Sequence, residues 1–165
     1  MEIHHVSRDL WGIFKNYHYL TSGIASNSKC YVGFINKEPV AFVAVNKFPH
    51  PTNKNIFKIG RIVVLPHWQG YNIGMKMVES IAEYYEGCDL RITTTLPIVH
   101  SYLYKRKEKW ALRFQGIRKA EDAGSNASMS KAPRECYLET YQYRNTGLVD
   151  TKVSRTRCPI EKYKE

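Results

Sequence analysis

The stretch from Phe57 to Gly87, FKIGRIVVLPHWQGYNIGMKMVESIAEYYEG, constrains the fold of this 165-residue chain more than any other part of it. Ile59 to Leu65 is a run of β-formers, and Pro66 closes it because proline has no N–H to give to a sheet ladder. A glycine-bearing turn follows, Gln69-Gly70-Tyr71-Asn72-Ile73-Gly74. Gly74, Met77, Val78, Ile81, Ala82 and Tyr85 then share one face at helical spacing until Gly87 supplies a C-cap. The order is strand, turn, helix. A helix N-terminus leaves N–H groups unpaired and carries partial positive charge, so a flexible turn feeding it makes a cradle for an anion such as a phosphate. Glycine lets the backbone come close to a ligand, and Asn72 is the residue type that best tolerates positive φ after glycine. Two glycines describe equally well an ordinary connection that binds nothing.

The flanking segments predict a single mixed α/β domain, of α+β class, around a central sheet. Its length suffices for one core. Ser7 is a plausible N-cap for a short helix through Leu10, Trp11 and Phe14. Lys29 to Phe48 reads as a hairpin turning at Asn36-Lys37-Glu38, apolar enough to be covered on both faces. Leu90 to Thr95 is the next strand, stopped by Pro97, and Ile98 to Trp110 can form a helix. Strands return at 111–118 and 135–144, joined by the small, polar stretch 120–133, which predicts a long hairpin loop. The domain is placed at 1–144, with 145–165 as a basic tail. Cys30, Cys88, Cys136 and Cys158 show no C-x-x-C spacing and are read as free thiols. No apolar h-region and no membrane-length run occurs, which predicts a cytoplasmic protein without a membrane partner.

Net charge is +10. A basic balance suits a polyanionic partner, and it equally serves plain solubility. The largest local excess lies between residues 105 and 119: Lys105, Arg106, Lys107, Lys109, Arg113, Arg118 and Lys119 against Glu108 alone. With Trp110 and Phe114 interleaved, the segment resembles a nucleic-acid surface, where cations meet phosphates and aromatics stack on an extruded base. No His, Cys, Asp or Glu set has metal-ligand spacing.

The run from Arg61 to Gly74, RIVVLPHWQGYNIG, resembles the acyl-CoA-binding signature of the GNAT acetyltransferase superfamily, a strand ending near proline followed by Gln/Arg-x-x-Gly-x-Gly/Ala. Gln69, Ile73 and Gly74 match, and Asn72 replaces the first signature glycine. The resemblance implies a GNAT fold, with a mixed, mostly antiparallel central sheet, and acetyl-CoA or another acyl-CoA as donor. It implies that backbone N–H groups of Gly70, Tyr71, Asn72, Ile73 and Gly74 hold the pyrophosphate, and that Ile62, Val63 and Val64 hydrogen-bond the pantetheine arm. It further implies that the strand carrying Thr93, Thr94 and Thr95 splays from the central strand, with Thr94 a candidate for the acyl wedge. Tyr102 or Tyr104 would protonate the departing thiolate.

The stretch LWGIFKNYHYL resembles an N-terminal element of a phage and prokaryotic GNAT branch that includes Mom-type DNA-modification proteins. That likeness makes His18 and Tyr19 candidate catalytic residues, His18 as base and Tyr19 positioning the substrate. The first expectation is therefore a Mom-like acyltransferase that modifies a DNA base and protects phage DNA from restriction. An N-acetyltransferase for a protein or small-molecule amine is the second. A non-catalytic nucleic-acid-binding module on the same fold is the third.

Overall fold

The computed structural model describes residues 1–18, 23–119 and 135–144. Tyr19, the expected loop 120–133 and the basic tail 145–165 lie outside the described residues. Seven strands form one sheet: β1 (Glu2–Val6), β2 (Ser28–Ile35), β3 (Glu38–Lys47), β4 (Ile56–Val64), β5 (Asp89–Thr94), β6 (Trp110–Lys119) and β7 (Glu135–Tyr143). Their order is β1-β2-β3-β4-β5-β7-β6. The pair β4–β5 is parallel and the other pairs are antiparallel. Among the described residues, three α-helices flank the sheet: α1 (Trp11–Phe14), α2 (Ile73–Tyr84) and α3 (Pro97–Tyr104).

Local chemistry explains most of these boundaries. Asn36 and Lys37 take φ of 50° and 67°, the paired positive values of the tight turn whose twist suits a two-residue hairpin between β2 and β3. Pro66 ends β4 by opening a 3-10 turn over Pro66–Trp68. After α2, Gly87 takes φ +83° and turns the chain toward β5. Strand β1 is not among the sequence expectations: Glu2–Val6 carries only Ile3 and Val6 as partly buried apolar residues, too weak an alternation to stand out. Helix α3 ends at Tyr104, shorter than the expected run to Trp110.

Both faces of the sheet are covered, as the two-sided apolar strands predict. On one face, α2 and α3 pack Met77, Val78, Ile81 and Leu103 against Val43, Val45, Leu90, Ile92 and Trp110. On the other, Trp11 and Phe14 of α1 pack against Phe42, Ala44 and Val63. A fully buried side chain such as Phe14 or Phe42 contributes roughly 1.5–3 kcal/mol. Cys30 is a buried free thiol. Cys88 is disulfide-bonded, which corrects the reading of all four cysteines as free. Among the described residues, no helix is long and apolar enough to cross a membrane.

Candidate active site

Strands β4 and β5 stay paired only from Ile56 opposite Asp89 to Ile59 opposite Ile92. Beyond Ile59, β4 continues to Val64 bonded to β3 alone, while Thr93 and Thr94 of β5 pair only with β7. The sheet opens into a wedge there. Gly60 marks the start of the opening: the register slips so that Val45 faces Ile59 and Ala44 faces Arg61, leaving Gly60 as the extra residue of a bulge. A Cβ at Gly60 would lie 2.6 Å from Asn46 Nδ2, so a side chain there would have to displace an amide that Ser28 Oγ holds by its oxygen.

The pairing with β3 decides which backbone groups face the wedge. Leu65 N–H donates to the Val40 carbonyl at 3.0 Å. Antiparallel strands alternate, so Val63 and Arg61 also turn their groups to β3, and Ile62 and Val64 turn theirs to the open side. The expected pantetheine contacts therefore narrow to Ile62 and Val64. Val63 instead packs its side chain with Trp11 and Phe42. Gln69 Nε2 donates to the Val64 carbonyl at 3.0 Å and fastens the turn to the end of the strand.

The turn has the backbone an anion cradle needs. Gly70 takes φ +87°, and Asn72, the N-cap of α2, takes φ 61° and ψ 19°. Asparagine thus holds the left-handed conformation that the signature glycine would hold. Its side chain caps none of the free N–H groups of α2, and the first turn carries no acidic residue. Those N–H groups and the helix dipole remain available for a phosphate. Gly74 brings α2 onto β4, since a Cβ there would lie 2.9 Å from Val64 Cγ2 and 3.4 Å from Ile62 Cγ2.

Helix α3 lies beside this cradle. The Tyr102 hydroxyl interacts with the Glu79 carboxylate of α2 and with the Asn72 side chain. Burial raises the pKa of Tyr102, with Glu79 adding to the rise and Arg106 opposing it. The Arg106 guanidinium stacks 3.8 Å from the centre of the Tyr102 ring. Arg106 Nε and Lys109 Nζ lie 3.0 and 3.5 Å from the two Glu79 oxygens, and Lys109 is also 3.7 Å from Glu83.

The remaining expected residues fall in several places. His18 follows the 3-10 turn after α1 and meets Trp11 edge to face at 6.0 Å, in the α1 layer, whereas Tyr102 and Tyr104 lie on α3. Thr94 is buried, and its hydroxyl accepts from Leu96 N–H at 3.0 Å where the chain leaves β5 for α3. Tyr104 is half exposed, with Lys107 Nζ 4.2 Å from its ring centre. Trp110 cannot stack on a base: it is 1% exposed and packs against Tyr143 at 5.2 Å. The strand β6 begins at Trp110, and its alternation sends the indole into the core. Lys105, Lys107 and Arg113 are exposed, and Arg113 Nε bonds Gln142 on the neighbouring strand. Arg118 and Lys119 end strand β6.

One cluster has no counterpart in the sequence expectations. The imidazole of His100 of α3 meets the carboxylate of Glu139 of β7, and the Glu139 side chain is 5% exposed. Tyr137 and Tyr141 each donate a hydroxyl to the Glu139 carboxylate at 2.9 Å. The group borders a pocket of about 440 Å³ that starts at Thr94 and Thr95. The strand ECYLETYQY held a signal, because alternation puts Glu139 on one face with Tyr137, Tyr141 and Tyr143, a carboxylate set between aromatics. Its histidine partner lies on another element, where no sequence spacing connects the two.

A parted parallel strand pair, a bulge at the parting and an uncapped helix N-terminus with positive-φ residues before it define a fold built to hold a phosphate-bearing acyl carrier. Residues 3–120 match the model of the acetyltransferase (GNAT) family. The chain belongs to that family, whose members take the acetyl group from acetyl-CoA. No curated protein matches it by sequence. Among solved structures, the ribosomal-protein-S18-alanine N-acetyltransferase from Escherichia coli is similar at 10% identity and TM-score 0.58, covering 86% of this chain and 92% of that one. An IAA acetyltransferase from Bacillus cereus is similar at 15% identity and TM-score 0.51, covering 86% and 98%. A Bacillus subtilis acetyltransferase in complex with CoA is similar at 16% identity and TM-score 0.50, covering 84% and 95%. At these identities the likeness shows the shared fold.

Proposed function

We propose that this protein is an acetyl-CoA-dependent N-acetyltransferase acting on a primary amine of a small molecule or a protein. The observation that supports it is the parting of β4 from β5 beside the uncapped N-terminus of α2. Ile62 and Val64 would pair with the amides of the pantetheine arm, and the N–H groups of residues 70 to 74 would hold the pyrophosphate. Direct transfer needs an oriented amine, a place for its proton, a donor for the thioester oxygen and a donor for the leaving thiolate. The open edge of β4 offers the oxygen its N–H. Tyr102, kept protonated by burial and Glu79, offers the thiolate its proton. For the base there is His18 in the α1 layer and His100 in the α3 layer.

Calorimetric titration with acetyl-CoA and with desulfo-CoA tests the reading, using native protein and Tyr71→Glu. Tyr71 is 68% exposed in the turn, so the variant adds negative charge to the cradle without disturbing the core. Binding by the native protein, weakened at least about tenfold in the variant, is expected. No binding by the native protein would sink the reading and leave the nucleic-acid-binding module.

A second reading, a Mom-like enzyme acting on a DNA base, draws on the net charge of +10 and the exposed Lys105, Lys107 and Arg113. The pairing of Arg106 and Lys109 with Glu79 and the burial of Trp110 take three members from the patch it needs. Mass spectrometry of nucleosides from DNA incubated with the protein and acetyl-CoA tests it. An acetylated nucleoside would favour it over the amine.

A further inference from the structure

We propose that His100 and Glu139 form a base dyad that receives the acceptor's ammonium group at the end of β5, and that the acceptor is a small primary amine carried on an apolar or aromatic body. The inference rests on the acetyltransferase reading above and assigns its acceptor side.

Hydrogen-bond bookkeeping fixes the imidazole. Tyr141 has one hydroxyl proton and donates it to Glu139 Oε2 at 2.9 Å. The same hydroxyl oxygen lies 2.6 Å from His100 Nδ1, so in that contact Nδ1 must be the donor. Nδ1–H is thereby turned toward Tyr141 and Glu139. In the neutral imidazole the lone pair then falls on Nε2, the nitrogen left for a ligand. The His100 side chain is 38% exposed where it lines the pocket, whereas Glu139 is buried and held by three neighbours. A buried carboxylate orienting a half-exposed imidazole is the arrangement of a general base.

Position ties the dyad to the transfer reaction. Thr94 pairs directly with Glu139 across β5 and β7, just past Ile92, where β5 has parted from β4. The pocket opens from that end of β5, and among the described residues its lining includes no lysine or arginine. A pocket whose described lining carries one carboxylate and no lysine or arginine favours a positively charged ligand. Its other walls, Leu96, Leu112, Tyr104 and Tyr137, fit an apolar or aromatic body.

The chemistry balances. The ammonium gives one proton to His100 Nε2, and the freed lone pair forms the C–N bond as the thioester C–S bond breaks. Tyr102 gives its proton to the sulfur and recovers one from the nitrogen through solvent. The products are the N-acetyl amide, the free thiol and one proton that His100 passes to solvent.

The probe is 2-phenylethylamine, with thiol release from acetyl-CoA followed from pH 6 to 9 in native protein, His100→Gln and Glu139→Gln. Among the described residues, the ionisable groups facing His100 are Glu139, Tyr137 and Tyr141 of β7 and Tyr104 of its own helix. Thr94 and Thr95 of β5 and Leu112 and Gln115 of β6 bring no charge. Native turnover is expected, with kcat/KM down at least about 100-fold in His100→Gln and its acid limb lost. Glu139→Gln is expected to raise KM for the amine at least about tenfold. Acetyl-CoA affinity by calorimetry should stay within about twofold in both variants, which also shows that they fold. Either variant with a kcat/KM for the amine within threefold of native overturns the proposal. So does absence of thiol release from native protein that binds acetyl-CoA, whether or not the amine shifts the His100 imidazole resonances. Failure to bind acetyl-CoA overturns the acetyltransferase reading instead.

Discussion

A Cβ on Gly74 would lie 2.9 Å from Cγ2 of Val64, so the first turn of α2 rests directly on the last residue of β4. Alanine has the higher helix propensity, worth about 1 kcal/mol, yet it must push a β-branched side chain that cannot swing away. Overpacking of this kind costs about 1–3 kcal/mol. Gly74→Ala is expected to lose about 1 kcal/mol net in urea unfolding. An unchanged or higher midpoint would mean that the helix and strand are not in tight contact.

Asn72 gives a test of conformation separate from packing. Its φ of 61° suits glycine as well as asparagine, whereas a β-branched residue is strained there. Asn72→Gly should stay within about 0.5 kcal/mol of native, and Asn72→Val should lose about 1–2 kcal/mol. Thermal unfolding of the two side by side checks the difference. Equal losses would place the role of Asn72 in its side-chain contact with Tyr102.

Tyr102 predicts a pH dependence. Burial first, and Glu79 second, raise its pKa above the ordinary tyrosine value near 10. The protonated phenol is the working form, so activity should hold as pH rises toward 10 and fall only above it. Tyr102→Phe should lower kcat by about 100-fold with little change in acetyl-CoA affinity. Glu79→Gln removes a raising influence and should move the alkaline limb to lower pH. Rates of thiol release across pH 7 to 10.5 measure both.

Tyr31 and Tyr85 share a buried hydroxyl contact at 3.0 Å. Burial raises both pKa values, that of Tyr85 to about 12. In the unfolded chain each titrates near 10. Above that pH the folded state holds more protons than the unfolded one, so stability is complete below about pH 10 and falls as pH rises through the folded values. Tyr85→Phe leaves the Tyr31 hydroxyl without this partner and should cost about 1–3 kcal/mol. Tyr31→Phe/Tyr85→Phe should recover much of that, because no orphaned hydroxyl remains. Denaturant unfolding at pH 8 and pH 11 would show both effects.

The strand, turn and helix proposed to form the cradle were legible because their determinants are local: Pro66 stops a strand, Gly70 and Asn72 bend the chain, and Gly87 ends the helix phase. Trp110 was misplaced because basic neighbours in sequence suggested a surface, while the strand beginning at that residue turns the indole inward. Val63 could not be told from Ile62 and Val64, since which backbone faces the wedge depends on the pairing with Val40 and Phe42 of another strand. His100 and Glu139 escaped for the same reason. Their meeting is a product of tertiary folding, and nothing in the spacing of either residue announces the other.

The open edge from Gly60 to Val64 carries a last consequence. Its specificity lies in the spacing of peptide groups, and peptide groups are the one part of a chain that substitution leaves alone. Ile62 and Val64 can drift among β-branched residues while the edge still accepts any arm whose amides repeat at strand spacing. Donor recognition through such an edge would persist with hardly any sequence memory. The acceptor pocket, built from the side chains of His100, Glu139 and their tyrosines, has no such insurance, and is the part of the molecule free to change its clientele.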